Sequence, residues 1–406
     1  MNDRVVDRQP KGLELSRRFF AEEVAPRLTD RWPDLAYSAA LIGPGSEVLG
    51  FDDAVSRDHH WGPRVMIFLP AESLAHHGKG IRAHLADTLP YQFMGFSTNF
   101  APPNPEDNGT QLLSTIDKGP VNHRVELHEL SSFLRNYIGI EDLSAIDEHD
   151  WLTFPEQKLR SLVAGDVFHD GLPEPGPPDG DSPAGVHARD QPIAQGRGGR
   201  ASAPHIGGLL EWMREKLAWY PHNAWLYQMA AAWARIGQDE HLMGRAGFVG
   251  DEVGSALIGA RLVRTIMRLC FLMERTYAPY AKWFGTAFHR LACGPELYPS
   301  LHAALTAADW RTREAALVPA YEAMARMHNQ LGITDPLPET VHQFHGRPFK
   351  VIADQGFAEA ILSRIDSGFL TEVTRRSPIG GIDLWSDNTD MLEDPEFRPT
   401  LRRLYE

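Results

Sequence analysis

The sequence predicts an α+β protein, with an N-terminal mixed-sheet α/β domain followed by an all-helical domain. Three observations carry this. The first part of the chain alternates short apolar runs with amphipathic stretches. A segment rich in Pro, Gly, Asp, Ser and Arg interrupts it at Pro173–Pro204. Beyond that segment the apolar residues recur at helical spacing. At about 100–200 residues per domain, 406 residues fit two folded domains. We place these at 1–170 and 206–406, joined by a flexible insertion at 171–205.

Leu13–Leu28 carries Leu13, Leu15, Phe19, Phe20 and Val24 near helical spacing. Tyr37–Ile42 is a short apolar run that ends in Gly43-Pro44-Gly45, the signature of a strand entering a turn. Val65–Leu69 is a second strand between Pro63 and Pro70, and Pro70 suits the start of a helix over Ala71–Leu89. Val121–Leu127 is a third strand and Ser131–Ile138 begins another helix. Pro173–Pro204 has no apolar periodicity, so it cannot bury enough surface to offset its ordering entropy. Helices are expected at Gly207–Ala218, Ala224–Ile236, Val253–Tyr277, Pro299–Ala307 and Arg311–Leu331, and the tail from Ile379 reads as a loop and a short final helix.

Composition narrows the function. A hydrophobic content of 43% with 23% charged residues is that of a folded globular chain. The formal net charge of -14 disfavours a broad nucleic-acid surface, which needs clustered positive charge, but leaves room for a nucleotide pocket. The polar start Met1–Lys11 lacks the apolar core of a signal peptide, and no run of about 18 apolar residues marks a membrane span. The two cysteines, Cys270 and Cys293, read as buried free thiols, and so few of them fit a reducing cytoplasm.

The chemistry concentrates in Gly43-Pro44-Gly45-Ser46-Glu47, followed by Asp58-His59-His60. A Gly-Ser turn offers backbone N–H groups and a hydroxyl to phosphate oxygens at an approach that only small residues allow. Carboxylates on a neighbouring strand can hold Mg²⁺ against the same phosphates.

Gly-Ser, about a dozen residues, then two spaced acids resembles the signature of the polymerase-beta-type nucleotidyltransferase superfamily. More closely, the chain resembles the bacterial proteins grouped as the domain of unknown function 4037 family. The resemblance runs through Gly45–Asp52, Ser56-Arg57-Asp58, Trp61-Gly62-Pro63-Arg64, Trp219-Tyr220-Pro221, Gly244–Gly247, Gly250-Asp251-Glu252, Tyr277–Trp283, Met327-His328-Asn329 and Ser386–Asp390. It implies metal-dependent transfer of a nucleotidyl group from an NTP to an acceptor hydroxyl, with two divalent metals clamping the triphosphate. By position, Gly45 and Ser46 would meet phosphate, Asp58 would be the first metal ligand and Glu126 the third acid. His60 stands where the second acid belongs. Imidazole suits Mn²⁺, Zn²⁺ or Fe²⁺ better than Mg²⁺. The site would then use a softer metal, bind one metal, or bind nucleotide without catalysis.

Other features carry two readings each. Arg261, Arg264, Arg268 and Arg275 share one helix face, either solvated and paired to acids or turned toward phosphate; Lys282, beside Tyr280 and Trp283, is a rival phosphate contact. Glu252 is either a helix-start acid or the general base for the acceptor. Trp212, Trp219, Trp225 and Trp233 are core, or a stacking wall. Asp383, Asp387 and Asp390 form a surface turn or add charge to a cleft. His59, His60, His76 and His77 open a metal-hydrolase reading, without the spacing of a closed zinc set. The favoured partners are a nucleotide and a small-molecule acceptor, with Mg²⁺ or Mn²⁺ as cofactor.

Overall fold

The computed structural model describes residues 10–53, 55–56, 61–107, 109–175, 208–366, 368–369, 375 and 378–406. It has a mixed α/β N-terminal region and a helical C-terminal region. The chain opens with α1 (Gly12–Phe19), which passes through a π-helical turn, Phe20–Val24, into α2 (Ala25–Arg31). Next come β1 (Ser38–Leu41), β2 (Arg64–Phe68), α3 (Ala71–Thr88), a small hairpin of β3 (Gln92–Phe93) and β4 (Phe96–Ser97), then β5 (Arg124–His128). α4 (Leu130–Ile138), α5 (Glu156–Val163) and β6 (Asp166–Asp170) complete this region.

The main sheet has the order β5-β2-β1-β6. β2 and β5 are parallel, with Arg64 opposite Arg124, Met66 opposite Glu126 and Phe68 opposite His128. β1 is antiparallel to both β2 and β6. Every residue of β1 and β2 is buried, because both faces of the sheet are covered. Ala39, Val65, Ile67, Val125 and Leu127 pack with Leu15, Phe19, Val24, Ile81 and Leu85. Ala40, Ile42, Met66 and Phe68 belong to the core that continues into the helical region through Trp225, Trp233, Ile266 and Phe271. Period-two alternation therefore sends each strand's side chains into two different cores.

The helical region contains α6 (Leu209–Lys216), α7 (His222–Phe248), α8 (Glu252–Met273), α9 (Ala281–Phe288), α10 (Gly294–Thr306) and α11 (Trp310–Leu331). α7 runs well past the expected end at Ile236. It does so because its next polar residues are satisfied inside: Asp239 pairs with Arg261, and Glu240 accepts the N–H groups of Ile352 and Ala353. α10 starts at Gly294, ahead of the expected Pro299, which it carries in its interior. The tail holds three short helices, Ile382–Trp385, Thr389–Glu393 and Arg398–Arg402, where one was expected. Cys270 and Cys293 are free and buried, as expected. Among the described residues no helix is long and apolar enough to cross a membrane. Residues 176–204 of the expected insertion lie outside the described residues.

Candidate functional site

β1 delivers the chain into the turn Gly43-Pro44-Gly45-Ser46. Gly43 (φ +79°) and Gly45 (φ +144°) adopt backbone that side-chain-bearing residues rarely reach. At Gly45 space is short as well: a Cβ there would lie 2.6 Å from Glu47 Oε2 and 2.9 Å from Arg64 Nη2. Arg64, the first residue of β2, reaches back over the turn. Its Nη2 donates to Pro44 O at 3.0 Å and meets Glu47 Oε1 at 2.5 Å in a buried ion pair. Its Nε has no hydrogen-bond partner among the described residues, so part of the guanidinium is uncommitted.

A cavity of about 690 Å³ opens beside this turn. Its floor is the sheet face bearing Arg64, Met66, Arg124, Glu126 and His128, which alternation along two parallel strands places together. Phe133 and Tyr137 of α4, stacked at 5.6 Å, form one wall, and Lys158 and Ser161 of α5 form another. The rest of the chain contributes Tyr280, Lys282 and Glu393. Among the described residues, four cations, Arg64, Arg124, Lys158 and Lys282, thus line the cavity against two carboxylates, Glu126 and Glu393.

Each charged group is tuned by its neighbours. Partial burial works against ionised Glu126, but His128, Arg124 and Arg64 outweigh it and hold the carboxyl at about 2. Arg124 Nη2 donates to Glu126 Oε1 at 2.6 Å, and His128 Nε2 stands 3.4 Å from Oε2. Lys158 donates to the carbonyls of Tyr137 (2.8 Å) and Glu393. Burial pushes its ammonium down from the usual lysine range, and Glu393 opposes this.

α9 meets the Gly-Ser turn directly. Trp283 Nε1 donates to Ser46 Oγ at 3.1 Å and to Tyr280 Oη at 2.8 Å, while the two hydroxyls lie 3.0 Å apart. Phe51, at the end of the turn segment, stacks with Trp283, with centroids 5.3 Å apart, and has the Arg290 guanidinium over its ring at 4.2 Å. Lys282, which lines the cavity, holds its Nζ 5.1 Å from the Trp283 ring centroid.

Of the residues expected from sequence, Gly45, Ser46, Glu126 and Lys282 come together here. Asp58 and His60, together with His59, lie outside the described residues. Glu252, Arg261 and Arg264 do not line the cavity. Glu252 stands at the start of α8, 3.4 Å from the buried Arg313. Arg261 is held by Asp239 at 2.6 Å, and Arg264 lies 3.9 Å from Asp387. The α8 arginines therefore follow the acid-paired reading and not the phosphate-facing one. Arg268 goes furthest: it is buried between Glu156 (3.7 Å) and Asp383 (3.6 Å). Asp383 is accordingly no surface-turn residue; its carboxylate accepts the N–H of Glu156 at 2.8 Å. Trp225 and Trp233 are core. His76 and His77 lie on α3 away from the cavity.

Sequence reading missed Arg64, Arg124, Lys158 and Tyr280 as lining residues. Alternation from Glu126 was a signal for Arg124, whereas Lys158 had none.

A divalent cation is implied by the superfamily resemblance. Among the described residues no three of His, Cys, Asp and Glu gather as a metal site. Glu126 offers oxygens of the right kind, but Arg124 and His128 already hold them, so the described donors do not by themselves form the oxygen cage Mg²⁺ takes.

Residues 199–284 match the family described as Domain of unknown function (DUF4037), in agreement with the motifs read from the sequence. This segment runs from α6 into the start of α9 and supplies Tyr280 and Lys282 to the cavity. No curated protein matches the chain. Among solved structures, the nucleotidyltransferase-like protein from Exiguobacterium sibiricum 255-15 is similar at 9% identity and a TM-score of 0.29, covering 79% of this chain and 77% of that one.

Proposed function

We propose that the cavity binds an NTP and that the protein transfers its nucleotidyl group to a small-molecule acceptor. The observation that carries this reading is the convergence of Arg64, Arg124, Lys158 and Lys282 on one cavity beside a Gly-Ser turn, in a chain of net charge -14. Locally reversed charge of this kind attracts a polyanion, and guanidinium forks match phosphate oxygens. The cavity volume suits a mononucleotide with a compact acceptor, while the overall acidity works against a polynucleotide. The reading requires a divalent metal, Mg²⁺ or Mn²⁺, on Asp58, His60 and Glu126.

A second reading is a nucleotide-binding protein without catalysis. It is favoured by Glu126, whose charge is already neutralised by Arg124 and His128, and by His60 at the place of an acid.

A thermal-shift panel of ATP, GTP, CTP and UTP, each with Mg²⁺, Mn²⁺ or no metal, tests both. A ligand at 100 times its dissociation constant adds about 2.7 kcal/mol to stability, which is easily seen. A metal-dependent shift with an NTP, followed by label transfer from the α-phosphate to an acceptor pool, supports transfer. A shift without metal and without label transfer supports the binder. In that case His60→Asp should create activity if the missing acid is the cause. No shift with any NTP on folded protein removes both readings.

A further inference from the structure

Ser46 does not face the cavity alone. Its hydroxyl is buried beside Tyr280 Oη and Trp283 Nε1, which come from the far side of the sequence, and the three groups form a closed triangle of hydrogen bonds. Counting protons fixes what the triangle can do. The indole N–H is a donor only and is shared between the two hydroxyl oxygens. One hydroxyl proton serves the Ser46–Tyr280 edge. The other hydroxyl proton has no acceptor within the triangle. Both Ser46 and Tyr280 line the cavity.

We infer that Tyr280 and Trp283 are positioning residues that turn the Ser46 hydroxyl into a committed donor toward an anionic oxygen in the cavity. With the indole donating to both oxygens, Tyr280 gives its proton to Ser46, and Ser46 gives its own to the ligand. A hydroxyl so polarised is a stronger donor than an isolated one; the indole, which cannot accept, leaves only the edge between the two hydroxyls to be oriented, and there the more acidic phenol is the better donor to the serine oxygen. Phosphate affinity is then a property of the α9 segment as much as of the Gly-Ser turn. The inference rests on the reading that a phosphate-bearing ligand enters this cavity.

The test is isothermal titration of full-length protein with inorganic tripolyphosphate, comparing wild type, Ser46→Ala, Tyr280→Phe and the double variant, with melting temperatures recorded for each. Ser46→Ala should weaken binding about tenfold, the scale of a hydrogen bond to a charged group. Tyr280→Phe, which keeps the ring and removes only the hydroxyl, should weaken it about fivefold when Ser46 is present, as for one neutral hydrogen bond, and not at all in the Ser46→Ala background. Trp283→Phe should show the same dependence on Ser46 and serves if Tyr280→Phe folds poorly. A merely structural role would weaken binding equally in both backgrounds, and that result, or no effect of either aromatic variant, overturns the inference while leaving nucleotide binding intact. Absence of tripolyphosphate and NTP binding by the wild type overturns the inference and the proposed function together.

Discussion

Replacing Arg64 by Met should destabilise the protein by about 3–5 kcal/mol, the cost of leaving one member of a buried ion pair uncompensated. The side chains of Arg64 and Glu47 are only 9% and 3% exposed and meet at 2.5 Å. Methionine keeps the stem volume of Arg64 but removes the charge and the donor to Pro44 O. Glu47 is then left buried without its counter-charge. Against a total stability of about 5–15 kcal/mol, such a loss is a large fraction of the whole. Urea unfolding followed by tryptophan fluorescence measures it, as a shift of midpoint at constant slope. The companion variant, Glu47→Leu with Arg64→Met, removes both charges and should recover to within about 1 kcal/mol of wild type. If Arg64→Met costs less than about 1 kcal/mol, or the double variant is as unstable as the single, the pair does not hold the turn.

Gly45→Ala should cost at least 1–3 kcal/mol, roughly, from backbone strain alone, with further loss as the new methyl meets the Glu47–Arg64 pair; the same urea assay reads it. Lys282→Ala should weaken ATP binding several-fold in titration calorimetry, whereas Arg261→Ala should leave it unchanged, since Arg261 is spent on Asp239. Burial, and then the charge of Asp383, pushes the Glu156 carboxyl up to about 7 from its ordinary 4.5. The folded state therefore binds this proton more tightly than the unfolded chain does, so its contribution is full at low pH and falls as pH rises between those two values. Glu156→Gln should flatten that part of the stability–pH curve, measured by urea midpoints at a series of pH values. In native protein Cys270 and Cys293 should react with a thiol reagent only after unfolding, because both are buried.

The sequence was legible where local physics decides the outcome. Apolar runs between prolines gave β1 and β2, and Pro70 marked the start of α3, because turn chemistry and periodicity are read within a few residues. β6 was missed: Asp166-Val167-Phe168-His169-Asp170 has few apolar residues and is a strand only because β1 offers it an edge. α9 was missed because eight residues are too few to show a helical period. In the site, Ser46 and Glu126 were singled out through the superfamily resemblance, and both line the cavity. The arginines of α8 were not, since a helix face states which residues point together and not what they meet. Their partners Asp239 and Asp383 arrive from α7 and from the tail, by long-range packing that no local pattern encodes. Lys158 is placed in the same way, by the meeting of α5 with Glu393.

The segment leaving the sheet and the one entering the helices begin side by side. Leu209 N donates to Leu172 O, Pro173 bridges Gly208, and the Asp170 carboxylate accepts the N–H groups of Leu210 and Glu211. Whatever runs between them departs and returns through one gate, while the halves on either side share a single core. Among the described residues, every member of that core lies before Pro173 or after Gly208. Two pieces made separately, one ending near Pro173 and one starting near Gly208, would each expose the surface the other covers, and on mixing they should reassemble as a split protein.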